Sequence, residues 1–126
     1  MAAGAKQRYS DDRVQISAVI GDVADKHVIV LDDEIAKGST VIELMEHLRG
    51  LHVRSIRLAC THGLFSDNAL KRLSEQDGVL EIVCTNTVPI AADKHVPKLK
   101  VLSVAPALAE AMRRIHNGES VSALFS

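Results

Sequence analysis

Apolar positions recur along this chain in two rhythms, one suited to strands and one to helices. Val28, Ile29, Val30 and Leu31 form a continuous run rich in β-branched residues, which predicts a strand buried on both faces of a parallel sheet. Asp32 and Asp33 are expected to end that run. After a short loop containing Gly38, Thr40 opens a segment with Val41, Ile42, Leu44, Met45 and Leu48 at the spacing of one helix face, closing near Arg49 with Gly50 as a left-handed cap. A strand is predicted before this unit, where Val14, Ile16, Ala18 and Ile20 alternate, and Ser55 to Cys60, Leu80 to Cys84 and Leu99 to Val104 read as further strands. Between them, Ser66 can cap a helix from Asp67 to about Ser74 with Leu70 and Leu73 inward. Pro106 suits the first turn of a last helix, whose Leu108, Ala109, Met112 and Ile115 share one face before Asn117-Gly118 stops it. Helical crossovers between such strands imply a parallel sheet with right-handed connections. Asn86 to Pro97 reads as a loop, and residues 1 to 13, without an apolar period, as a mobile segment.

The strand, acidic pair, loop and helix from Val28 to Val41 carry the candidate chemistry. A loop that ends at a helix start offers unpaired backbone N–H groups and the positive end of the helix dipole, to which Ser39 and Thr40 add hydroxyl donors. Such a pocket suits a phosphate. Asp32 and Asp33, at the carboxyl end of the strand where open α/β sheets place ligands, can accept hydrogen bonds from sugar hydroxyls or hold a divalent cation through water. The spacing alone equally permits a solvated strand end and a Thr40–Glu43 capping box.

Composition narrows the partners. With 126 residues and 47% hydrophobic content the chain is one ordinary domain. Its 15 basic against 16 acidic residues give no generic nucleic-acid or membrane surface, so a small partner is expected. Cys60 and Cys84 lie in strand-like runs without C-x-x-C spacing and read as buried reduced thiols in a cytoplasmic protein. No apolar run is long enough to span a bilayer, and the six histidines, at 27, 47, 52, 62, 95 and 116, show no metal-ligand spacing.

The apolar run followed by DD and a loop ending in Thr40 resembles the ribose-phosphate signature of type I phosphoribosyltransferases. Lys6 to Arg8 (KQR), Ile20 to Val23 (IGDV), Asp32 to Thr40, Thr61 to Ser66 (THGLFS), Thr85 to Pro89 (TNTVP) and Arg113 to Phe125 together resemble the carboxyl-terminal half of ribose-phosphate diphosphokinase, or PRPP synthetase. The resemblance implies an α/β, phosphoribosyltransferase-like three-layer αβα fold with a mostly parallel sheet over residues 14–126. It makes residues 1–13 a flexible catalytic-loop segment in which Lys6 and Arg8 stabilise the migrating group. It assigns Asp32, Asp33, Ala36, Lys37, Gly38, Ser39 and Thr40 to ribose 5-phosphate, with Mg2+ near Asp32 and Asp33, and Ser120 and Ser122 to a regulatory site where subunits meet. His62 and Ser66 become candidate contacts on a loop approaching the active site, and Asn86 and Thr87 candidates for the base or regulatory region.

Departures from the family pattern fall in the central loop. Lys37 brings a cation where a small or hydroxyl residue is common, Ser39 stands where many members have Gly, and Ala36 stands where some carry an acid. If the Ser39 position required positive φ, its Cβ would strain it. The family's amino-terminal half, which supplies most ATP and metal contacts, has no counterpart here, so the chain is expected to be incomplete alone. Its implied partners are ribose 5-phosphate, PRPP, ATP, and the missing half or full-length subunits in a homo- or hetero-oligomer. Two alternatives belong to other classes: a non-catalytic regulatory or associated subunit, and a stand-alone phosphoribosyltransferase, for which no hood segment over a base is evident.

Overall fold

A computed structural model describes residues 3–10 and 13–125, with side chains from residue 21 onward. Strands β1 (Ala3–Ser10) and β2 (Arg13–Ile20) pair antiparallel as a hairpin, with register irregularities after Ala5 and Arg8. The sequence pattern finds β2 but no element before it. Backbone pairing explains the difference, because β2 supplies the ladder bonds of β1 whether or not β1 has an apolar period. Lys6 and Arg8 fall on β1, and their side chains lie outside the described residues.

The rest of the chain forms β3 (His27–Ile35), α1 (Ser39–Gly50), β4 (Ser55–Gly63), α2 (Ala69–Ser74), β5 (Val79–Thr85), β6 (Leu99–Leu102) and α3 (Ala105–His116). Single turns of 3-10 helix occupy Ala92–Lys94 and Ser122–Leu124. Strands β3-β4-β5-β6 make a four-stranded, all-parallel sheet in chain order. Asp32 and Asp33 do not end β3. The ladder with β4 continues through Glu34 opposite His62 and Ile35 opposite Gly63, which extends the strand past the acids.

Helices α1 and α2 pack on one face of the sheet. Val30, Ile56, Leu58, Cys60, Ile82 and Cys84 from the strands meet Val41, Met45 and Leu48 of α1 and Leu70 and Leu73 of α2 in one buried cluster. Burial of each large side chain contributes about 1.5–3 kcal/mol before entropy is counted. Cys60 and Cys84 are both free and buried in this cluster.

The opposite face is largely bare. On β3, Val30 is 8% exposed while its neighbours Ile29 and Leu31 are 62% and 77% exposed, so the expected burial on both faces is corrected to one. The cause is topological: β3 is an edge strand, and the two crossover helices lie on the same side. Across the bare face Leu31, Ala59, Val83 and Lys100 form one row, and Arg57, Glu81 and Lys100 form an ionic ladder at its foot. Helix α3 buries none of its residues, leaving Leu108, Met112 and Ile115 exposed. The tail beyond it half-buries Val121 and Leu124 but leaves Phe125 exposed.

Candidate functional site

Ile35 is buried at the end of β3 and fixes where the chain turns towards α1. Gly38 then takes φ 71° and ψ 3° as the N-cap of α1. The first intrahelical bond runs from Ile42 N–H to Gly38 O at 2.9 Å, which leaves the amides of Ser39, Thr40 and Val41 ahead of it without helical acceptors. Ser39 is the first helical residue, so the left-handed conformation falls on Gly38 and the feared strain at Ser39 is absent. Thr40 lies inside the helix and no side chain caps it, which removes the capping-box reading.

Two layers hold this loop from behind. A Cβ on Gly38 would sit 3.2 Å from Cδ1 of Leu73, a fully buried α2 side chain. The segment after β4 donates Leu64 N–H and Phe65 N–H to Ile35 O at 3.1 and 3.0 Å, and Ser66 N–H to Ala36 O at 3.1 Å. Phe65 is fully buried, and Gly63 is pressed so closely on its ring that no Cβ fits. The THGLFS stretch therefore acts on the site partly as the loop's support. That role belongs to backbone amides, which motif reading does not register. Ser66, expected as a cap, is displaced from it by Asn68 and contributes through its amide.

The result is a cleft of ≈ 380 Å³ lined by the consecutive residues from Asp32 to Val41. It brings together Asp32, Asp33, Ala36, Lys37, Gly38, Ser39 and Thr40, and adds Glu34, which sequence reading misses by ending the strand too early. Asp32 Oδ1 accepts the Asp33 amide at 3.0 Å, and Asp33 Oδ1 accepts the Glu34 amide at 2.9 Å. Hydrogen bonding within the Asp32–Asp33 pair, followed by the Glu34 amide, holds the Asp33 carboxyl below its ordinary value. Among the described residues no group of three or more His, Cys, Asp or Glu forms a metal cage. The Asp32–Asp33 pair still fits Mg2+, which keeps most of its water and commonly binds through one or two carboxylates and its substrate. Cys60 stands opposite Asp32 in the sheet, and burial pushes its thiol up to about 11, which keeps it protonated and inert.

Beside the cleft, His62 Nδ1 lies 2.8 Å from Thr87 Oγ1, and Thr87 and Thr85 both donate to Thr61 O, at 3.0 and 2.7 Å. Asn86 is occupied structurally: its Oδ1 accepts the Val104 N–H at 2.9 Å and its backbone N–H donates to Leu102 O at 2.9 Å, which ties β5 to the start of α3. Ser120 and Ser122 are exposed beyond α3 and do not line the cleft. Arg113 bridges Glu110 and Glu119, and Arg114 Nη1 donates to Ser120 O at 3.0 Å, which orders the turn that carries them.

The family model described as phosphoribosyl synthetase-associated domain matches residues 9–126. The chain belongs to the phosphoribosyl synthetase-associated domain family. Among similar proteins, a putative ribose-phosphate pyrophosphokinase of Streptomyces coelicolor is 75% identical over 125 residues, 99% of this chain and 39% of that protein. A ribose-phosphate pyrophosphokinase of Clostridium acetobutylicum is 39% identical over 95% of this chain and 37% of its own length. The crystal structure of phosphoribosylpyrophosphate synthetase from Mycobacterium smegmatis superposes with a TM-score of 0.74 at 38% identity, covering 86% of this chain and 35% of that one. This member of the synthetase-associated family thus has the expected α/β, phosphoribosyltransferase-like fold, and spans well under half the length of these relatives. No helix among its described residues is long and apolar enough to cross a membrane.

Proposed function

We propose that this chain is the ribose 5-phosphate- and PRPP-binding half of a ribose-phosphate diphosphokinase, corresponding to the carboxyl-terminal half of that enzyme. The observation that carries the reading is the cleft itself: amides of Ser39, Thr40 and Val41 open at a helix start, facing paired carboxylates across one short loop. The 5-phosphate binds at the amides and the Ser39 and Thr40 hydroxyls, with Lys37 adding charge. Asp32 and Asp33 orient the ribose hydroxyls. Mg2+ held there through water supplies neutralising charge to the phosphates. Lys6 and Arg8 stabilise the transferring group when the diphosphoryl moiety of ATP moves to the 1-hydroxyl, giving PRPP and AMP.

The bare sheet face supports incompleteness. Parallel sheets are ordinarily covered on both faces, and Ile29 and Leu31 here have no cover. An amino-terminal half, on a separate subunit or the same longer polypeptide, supplies that cover and the ATP contacts within a cytoplasmic oligomer.

Titration of the isotopically labelled chain with ribose 5-phosphate and magnesium tests the site. Shifts in the amides of Asp33, Gly38 and Thr40 are expected, and unmoved resonances with the complementary half present refute it. The chain alone is expected to release no AMP from ATP and ribose 5-phosphate. Loss of turnover in the reconstituted enzyme on substituting Lys6 and Arg8 separates a catalytic half from a regulatory one.

A further inference from the structure

His62 is an exposed side chain whose imidazole is hydrogen-bonded into the fold. It is the next-to-last residue of β4, directly across the ladder from Glu34, a lining residue of the cleft one position beyond Asp33 on the neighbouring strand. Its Nδ1 is engaged by Thr87 Oγ1, which is anchored in turn by Thr61 O and by Thr85, whose Oγ1 lies 2.9 Å away and accepts the Thr87 amide at 3.2 Å. Among the described residues Nε2 makes no hydrogen bond, so the network fixes the ring while leaving its outer nitrogen for a ligand.

We propose that His62 is a specificity-determining contact of the cleft, its Nε2 hydrogen-bonding a ring hydroxyl of the bound sugar phosphate while Thr87 sets the ring's orientation. This rests on the reading of the cleft given above and adds the residue that reads the sugar. The ligand group is a hydroxyl on electrostatic grounds. Asp32, Asp33 and Glu34 line the adjoining strand and disfavour a second anion there, whereas a neutral hydroxyl is repelled by none of them. A hydroxyl also suits either tautomer. Thr87 can donate to Nδ1, leaving Nε2–H as donor, or donate to Thr61 O and accept from Nδ1–H, leaving Nε2 as acceptor.

Binding of ribose 5-phosphate and of inorganic phosphate to the 126-residue chain, measured calorimetrically with magnesium, tests the assignment. His62→Ala is expected to weaken ribose 5-phosphate about five- to tenfold, as for one lost hydrogen bond, with inorganic phosphate unchanged within about twofold. Thr87→Val is expected to give a smaller loss with the same selectivity, and His62→Gln a partial recovery. Unchanged ribose 5-phosphate affinity in His62→Ala overturns the proposal while leaving the cleft reading intact. Equal losses for both ligands also overturn it, by showing a structural role. Failure of the unsubstituted chain to bind ribose 5-phosphate, with magnesium and the complementary half supplied, overturns the cleft reading and this proposal together.

Discussion

Replacing Gly38 with alanine tests whether the loop geometry makes the site. Two costs arise from the structure. At φ 71° an L-residue is held in the left-handed region, worth about 1–2 kcal/mol. The new Cβ also lies 3.2, 3.4 and 3.5 Å from Cδ1, Cγ and Cδ2 of Leu73, which is fully buried. Mild overpacking of this kind adds about 1 kcal/mol, so Gly38→Ala is expected to cost about 2–3 kcal/mol, a large part of a small domain's stability. Gly78 provides the control. It adopts φ 79° with nothing within 4 Å of the place an added methyl would take, so Gly78→Ala incurs the conformational cost alone. Urea unfolding of both variants is expected to separate them by about 1 kcal/mol. Ribose 5-phosphate affinity should fall more than about tenfold in Gly38→Ala, because the loop relaxes away from Leu73 and carries the amides with it, and stay unchanged in Gly78→Ala. Equal destabilisation refutes the Leu73 contact, and retained affinity in Gly38→Ala refutes the loop as the phosphate site.

Two further outcomes concern the support beneath the loop. Gly63→Ala places its Cβ inside the Phe65 ring, and thermal unfolding is expected to show a loss of about 2–3 kcal/mol or more; a neutral result means that Phe65 does not back the loop. Burial raises the Cys60 thiol to about 11, above its unfolded value, so between roughly pH 9 and 11 the unfolded chain binds fewer protons than the folded one. Stability should therefore fall with rising pH across that window and do so less in Cys60→Ser, which unfolding midpoints at pH 8, 9.5 and 11 will show.

Much of this architecture is legible in the sequence because it rests on local pattern. The helix face of Val41, Met45 and Leu48 and the alternation of Ile56, Leu58 and Cys60 specify elements that need only to find one another. The loop proposed to hold a phosphate is legible for a related reason: its amides, its glycine and its two acids are consecutive in the chain. What escapes depends on who sits beside whom. Ile29 and Leu31 have the apolar character of a doubly buried strand, and only the placement of α1 and α2 on one side leaves them bare. The end of β3 is misplaced because Asp32, Asp33 and Glu34 look like loop residues, although the β4 ladder keeps them extended. Gly63 and Phe65 stand in a stretch that carries the resemblance, but their supporting role is not legible, since it passes through backbone bonds to Ile35 and Ala36.

Charge inside the cleft leads to the strictest demand on the proposed function. Its lining holds three carboxylates, Asp32, Asp33 and Glu34, against the single ammonium of Lys37. A phosphate about 8 Å from one such carboxylate meets roughly 0.5–2 kcal/mol of repulsion, depending on whether the medium between them resembles water or protein surface. The helix end and Lys37 offset part of this, each by about 1 kcal/mol at most in an exposed site. Three such acids act together, so with Asp33 held ionised by its hydrogen bonds the balance at neutral pH is unfavourable without a cation. A divalent ion held by Asp32 and Asp33 would reverse the sign of the acids' contribution. Ribose 5-phosphate affinity is therefore expected to rise about tenfold or more on adding magnesium to the unsubstituted chain. In Asp33→Asn it should begin higher in the absence of magnesium and respond little to its addition. Calorimetric titrations with and without EDTA make the comparison, and equal affinities in the unsubstituted chain refute the assignment of the acids to a cation-assisted sugar site.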